Sequence, residues 1–200
     1  SWSGNLVTNA TWNDFWLNEG FTVYFERRIM EDIYGKDYAD MLAVLGRQDL
    51  SHTMQDLADH PEDTQLKLNL EGRDPDDGMT DIAYEKGYFF LRTIEKEVGR
   101  QKLDVFLNRH FSENAFKTIT TEVFLKNLKA QLFDGDQAKY DALKIDEWVY
   151  QPGIPSNCME VSSVLFEQVQ AQVDSFNNDM AVSKIDTAGW TTHQWLYFLR

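Results

Sequence analysis

Two short stretches hold residues whose types and spacing could do chemistry. The first is Trp16-Leu17-Asn18-Glu19-Gly20-Phe21, which sets a carboxylate in the middle of an aromatic-rich segment. A carboxylate in such surroundings requires a cation, a metal ion or good hydrogen-bond donors. Glu26 follows seven residues later, two helical turns on, so the two carboxylates can share one face. Gly20 removes a side chain beside Glu19, which suits close approach of another backbone or a ligand. The alternative is an ordinary, largely buried helix in which Glu19 pairs with Arg27, Arg28 or Lys86, and composition alone favours it. The second stretch is Asp81-Ile82-Ala83-Tyr84-Glu85-Lys86-Gly87, with Tyr84 at the start of a helix after an acidic loop. A tyrosine hydroxyl there can donate to a developing oxyanion. The alternative is a tyrosine packed on the first turn, with Glu85 complementing the helix dipole. Spacing alone favours that alternative.

Other self-contained chemistry is missing. The chain has no H-E-x-x-H, no Gly-rich phosphate loop and no G-x-S-x-G. His52, His60, His110 and His193 share no metal-ligand spacing and read as surface or capping residues. Cys158 has no nearby histidine and reads as a structural thiol. A single cysteine excludes an internal disulfide framework and a multi-cysteine zinc module. Asp and Glu number 33 against 19 Lys and Arg, a net charge of −14. That balance argues against nucleic acid and against an anionic membrane surface as partners. It fits a cytoplasmic protein, or a periplasmic or secreted one after loss of a signal peptide. The 42% hydrophobic and 14% aromatic content is enough for a core.

The elements that must position these residues are mainly helical, because long stretches lack both glycine and proline. A first helix is expected from Asn13 or Asp14, as N-cap, to Tyr34, with Gly35 as the stop. A second covers about Asp37–Leu57. Residues 59–80 are acidic and carry Pro61 and Pro75, so they read as a long connection, with a short strand at Leu66–Leu70. Further helices are expected at Ile82–Gly99, Gln101–His110, Thr120 or Thr121 to Leu132, and about Ala138 to Leu143 or beyond. Pro152-Gly153-Ile154-Pro155 is the clearest boundary. Helices at Val161–Phe176 and Thr191–Leu199 follow it. Both ends of the chain read as cut.

The two chemical stretches resemble the gluzincin zinc aminopeptidases, a family that includes leukotriene A-4 hydrolase, aminopeptidase B and aminopeptidase N. Trp16-Leu-Asn-Glu19-Gly20 and Tyr84-Glu85-Lys86-Gly87 carry the resemblance. Ser1-Trp-Ser-Gly-Asn-Leu-Val-Thr, Ile119-Thr-Thr and Trp148-Val-Tyr-Gln-Pro-Gly153 extend it in order over residues 1 to about 155. The last two resemble the leukotriene A-4 hydrolase branch.

The resemblance implies the helical half of a thermolysin-like metallopeptidase catalytic domain over residues 1–155. Residues 156–200 would then be the beginning of a C-terminal helical, array-like domain. The family motif is H-E-x-x-H, then eighteen residues, then a glutamate zinc ligand. Ser1 to Asn18 match that spacer and Glu19 matches the ligand. One zinc ion is implied in the complete enzyme, with no tight binding by this chain alone. Two ligands and the general-base glutamate would lie upstream of Ser1, in the part of the same domain that this chain partners. Tyr84 resembles the family tyrosine that stabilises the tetrahedral intermediate. Glu26 resembles an acidic supporting position, and Asp76 an acidic pocket residue of the leukotriene A-4 hydrolase branch. Met79 stands where that hydrolase has a second tyrosine, which favours removal of N-terminal residues from peptides over epoxide hydrolysis. A non-catalytic helical interaction module on the same scaffold is the remaining alternative.

Overall fold

A computed structural model describes residues 2–199. Along the chain run α1 (Trp2–Leu6), β1 (Val7–Asn9), α2 (Trp16–Tyr34), α3 (Lys36–Asp56), α4 (Gly87–Val98), α5 (Arg100–Glu113) and β2 (Lys117–Ile119). After these come α6 (Thr121–Leu132), α7 (Gln137–Ala142), α8 (Ile145–Tyr150), α9 (Val164–Asn177) and α10 (Thr192–Leu199). Gly35 and Gly99 end α2 and α4 with φ of +89° and +84°, a region that a side chain disfavours. Among the described residues no helix is long and apolar enough to cross a membrane.

The first compact unit comprises the residues up to Glu26 together with Gln48–Met159. Its core is aromatic. Trp16 is fully buried between Phe90 and Phe124, with ring centroids 5.7 and 5.6 Å away, and Phe90 meets Trp148 at 5.8 Å. Such large flat side chains bury much apolar area for few rotatable bonds. The polar edges find partners: Trp16 Nε1 donates to Thr121 Oγ1 (3.0 Å) and Trp148 Nε1 to Asn157 Oδ1 (3.1 Å). A short parallel pair joins β1 to β2, Val7 opposite Lys117 and Asn9 opposite Ile119. Three-residue strands leave too little alternation to be read from sequence.

The second unit comprises Arg27–Arg47 and the residues from Glu160 on. Met41 and Val169 are fully buried, and Phe166 stacks on Tyr197 at 4.5 Å. Ser163 caps α9, its side chain accepting from Phe166 N.

Several expectations need correction. Residues Leu66–Leu70 form no strand, although Leu66, Leu68 and Leu70 alternate inward and are buried. Their amides bond single groups instead of a ladder: Lys67 N donates to Val149 O, Leu68 N to Asn13 O and Leu70 N to Asn13 Oδ1. The chain around Asn13 and Asp14 is a 3-10 turn, Trp12–Asp14, and α2 starts at Trp16. The helix after Thr80 opens as a π-turn, Ile82–Lys86, before α4. The short helix after Gly135 spans Gln137–Ala142, and α8, which carries the buried Trp148, is an additional element. His110 is a core residue, not a surface one: it lies on the buried face of α5 among Phe21, Phe106, Phe111 and Phe124.

Candidate active site

The entry to α2 is bolted down before the helix begins. Asp14 is fully buried and accepts four hydrogen bonds. Lys67 Nζ (2.6 Å), Thr121 N (2.8 Å) and Thr121 Oγ1 (2.8 Å) reach Oδ1, and Thr11 Oγ1 (2.6 Å) reaches Oδ2. Burial alone would raise the Asp14 pKa, but the bonds from Lys67, Thr11 and Thr121 outweigh it and hold the carboxyl below its ordinary range. Asp14 therefore satisfies the first amide of α6, a helix far along the chain. A short polar residue at a helix start suggests a cap for its own helix, and here it caps another.

The next turns carry α1 across α2. A Cβ on Gly4 would lie 2.8 Å from Asn18 Cγ, so any other residue there would displace the Asn18 side chain. Asn18 Oδ1 accepts from Asn9 N (3.1 Å), and Ser3 and Thr22 share a hydroxyl contact of 3.3 Å. Glu19 follows Asn18 and is half-buried. Its carboxylate pairs with none of Arg27, Arg28 and Lys86, and it makes no hydrogen bond with the described residues. The ordinary-helix alternative required such a pair.

Gly20 then meets Gly87 backbone to backbone. A Cβ on Gly20 would lie 2.9 Å from Gly87 Cα, and one on Gly87 would lie 2.8 Å from Gly20 Cα. This contact brings the π-turn against α2 and sets Tyr84 near Glu19. The Glu19 charge is felt at the phenol: burial raises the Tyr84 pKa, and Glu19 and then Asp81 push it the same way. Tyr84 thus keeps its proton at neutral pH, as a hydrogen-bond donor must. The hydroxyl bonds no described residue, and the ring sits edge-on to Phe15 at 6.0 Å. Phe15 and Gly20, both on the α2 side, therefore locate a residue 64 or more positions away in sequence only through packing.

Glu26 and Asp76 are not drawn into this pair. Glu26 is exposed on α2 and carries no ion pair with the described residues. Asp76 is exposed in the 3-10 turn Pro75–Gly78, where its amide donates to Asp74 Oδ1 (3.0 Å). That turn packs against the Trp12–Asp14 turn. Met79 is 48% exposed. Among the described residues no group of three or more His, Cys, Asp or Glu could hold a metal ion. Glu19 nevertheless fits as one member of a ligand set, because it is a helix-fixed, half-buried carboxylate with no partner among the described residues.

Sequence reasoning missed Lys86 as a distinct group. It is completely buried, and its ammonium donates to Thr64 O (2.7 Å) and Gln151 O (3.1 Å). The 59–80 connection and the Pro-Gly boundary were both visible, but nothing in their spacing places them on either side of one lysine.

The peptidase family M1 domain matches residues 1–149. A leucine aminopeptidase 2 of Sclerotinia sclerotiorum is 36% identical over the whole chain, which covers 33% of that protein. A leukotriene A-4 hydrolase homolog of Botryotinia fuckeliana is 37% identical, with 31% of its length covered. Native leukotriene A4 hydrolase of Saccharomyces cerevisiae aligns with 99% of the chain at a TM-score of 0.86 and 32% identity, over 33% of its own length. A zinc metallopeptidase of the same family from Deinococcus radiodurans, solved with a Tyr-Ser-Ala substrate, aligns with 80% of the chain at a TM-score of 0.60 and 26% identity. The chain spans about a third of the length of these relatives. With a glutamate that is unpartnered among the described residues, near a protonated tyrosine on a matching helical scaffold, the chain belongs to the M1 peptidase family.

Proposed function

We propose that residues 1–155 are the helical half of the catalytic domain of a zinc aminopeptidase, and residues 156–200 the beginning of a C-terminal helical domain, the full-length form removing N-terminal residues from peptides. The observation that carries this reading is that Glu19 and Tyr84 sit within electrostatic reach of each other on two elements that meet at the Gly20–Gly87 contact. Glu19 is proposed as a zinc ligand, completed by two histidines upstream of Ser1. When bound, the ion polarises a scissile carbonyl and acidifies water. Tyr84 supplies a neutral donor to the oxygen on which negative charge develops. The rigid Gly20–Gly87 backbone contact keeps that donor oriented. Glu26 is assigned a supporting role on α2 and Asp76 a place on the substrate-pocket wall. Relatives that bear aminopeptidase names, and one solved with a tripeptide, support a peptide as the substrate. Met79 supplies no hydroxyl where epoxide chemistry would call for one, so peptide hydrolysis is the reading preferred here.

The test is a pair of variants in the full-length enzyme. Glu19→Gln should lose bound zinc and activity together. Tyr84→Phe should retain zinc while kcat falls about a hundredfold or more. Near-normal kcat in Tyr84→Phe, or full zinc content in Glu19→Gln, would remove the corresponding assignment. The isolated chain should hydrolyse no aminoacyl substrate.

A further inference from the structure

Lys86 is buried completely, yet no carboxylate lies at ion-pair distance from it among the described residues. Its bonds go to two neutral main-chain carbonyls, Thr64 O and Gln151 O. Burial pushes its pKa down to about 7, and the Glu147 charge offsets this only in part. For stability alone this is a poor way to fill space, since an apolar side chain of similar volume avoids burying an amine.

The surroundings are built to receive it. Thr64 is itself buried, its Oγ1 accepting from Gly153 N (2.7 Å) and donating to Pro61 O (2.6 Å). Two stretches remote in sequence, residues 61–64 and 151–153, therefore converge on one ammonium group. That group belongs to the π-turn that carries Tyr84. The Gly87 amide reaches back to Ile82 O, the wide ring of a π-turn, which is rarer and less well packed than an α-turn. At its start the turn is held by Ile82 N on Thr80 Oγ1 (3.3 Å) and by Thr53 Oγ1 on Asp81 Oδ2 (2.9 Å). At its end it is held by Lys86 and by the Gly20–Gly87 contact. Collapse of the extra residue into a plain α-helix would rotate Tyr84 by about 100° relative to α4. Its hydroxyl would then leave the neighbourhood of Glu19.

We propose that Lys86 is the positioning residue for Tyr84, its bonds to Thr64 and Gln151 holding open the π-turn that aims the phenol beside Glu19. This rests on the assignment of Tyr84 as the oxyanion donor.

The experiment is a double-mutant cycle in the full-length, zinc-loaded enzyme with Lys86→Met, Tyr84→Phe and the pair. Lys86→Met should lower kcat about tenfold or more with little change in KM and unchanged zinc content. In the Tyr84→Phe background the same substitution should cost less than about twofold, because the residue it positions no longer has its hydroxyl. Equal losses in both backgrounds, or no loss in either, would overturn the Lys86 assignment and leave Tyr84 standing. An unchanged kcat for Tyr84→Phe alone would overturn the Tyr84 reading, and this inference with it. If Lys86→Met fails to fold, Thr64→Val removes the bonds that fix the receiving carbonyl. The same background dependence is then expected, and additive losses would overturn the proposal.

Discussion

Gly20 and Gly87 touch through their α-carbons: a methyl group on either would lie within 2.9 Å of the other. No side chain intervenes, so the distance between α2 and the π-turn is set by two backbones. Glu19 and Tyr84 inherit their proximity from that contact. Gly20→Ala should therefore separate the two elements and destabilise the fold by about 1–3 kcal/mol, the usual range for overpacking. Thermal unfolding of the full-length protein would read the loss. A Gly20→Ala protein with unaltered midpoint and activity would contradict the backbone-contact account.

Asp14 makes a second prediction. It is buried, paired with Lys67, and bonded to both the amide and hydroxyl of Thr121. Asp14→Ala should destabilise by about 1–3 kcal/mol, because the buried Thr121 amide and hydroxyl lose their acceptor while Lys67 keeps Glu122 at 3.5 Å. The carboxyl is held below its ordinary pKa of 3.8. Its contribution is therefore complete above that value and is lost as pH falls through the lower, folded-state pKa. Chemical denaturation of wild type and variant at neutral pH, repeated in acid, should show their stabilities converging. A constant difference down to the lowest pH would contradict the assignment.

His110 governs a milder acid limb. Burial depresses its pKa from 6.5 to about 4, with only Glu113 opposing, and its Nδ1 has no hydrogen-bond partner among the described residues. The folded state thus binds fewer protons than the unfolded state between these two values. Stability is fully present above pH 6.5 and falls as the pH drops toward 4, by on the order of 3 kcal/mol in all. His110→Leu removes a buried unpartnered ring nitrogen and should flatten this limb without loss at neutral pH. A steep limb surviving in His110→Leu would place the titrating group elsewhere.

A groove of about 470 Å³ lies between Trp2, Leu6, Phe25, Leu107 and Phe111. Trp2 is 62% exposed along it. Such a surface binds hydrophobic dyes when nothing covers it. Strong fluorescence enhancement is expected for the isolated chain, and a much weaker one for the full-length protein. Equal signals from the two would show that the groove is not covered in the longer protein.

Much of this was legible in the sequence for simple reasons. Gly35 and Gly99 ended helices because only glycine accepts their positive φ cheaply. Gly20 beside Glu19 pointed to a close backbone, and Gly87 supplies it. The misreadings share a cause: each depended on a partner distant in the chain. Asp14 caps α6 because Thr121 comes to it in three dimensions, and Leu66, Leu68 and Leu70 alternate without a neighbouring strand. His110 is buried because Phe21 and Phe124 arrive from α2 and α6. Lys86 looked like one more charge on a helix until Thr64 and Gln151 closed around it.

The central claim is that Glu19 is a metal ligand completed from outside this chain, and the coding sequence directly upstream of Ser1 tests it most directly. The account predicts a His-Glu-x-x-His motif whose second histidine immediately precedes Ser1, with the eighteen residues Ser1 to Asn18 between it and Glu19. A sequence there without those histidines would leave Glu19 with no metal to bind, and the aminopeptidase reading would give way to a helical scaffold without catalysis.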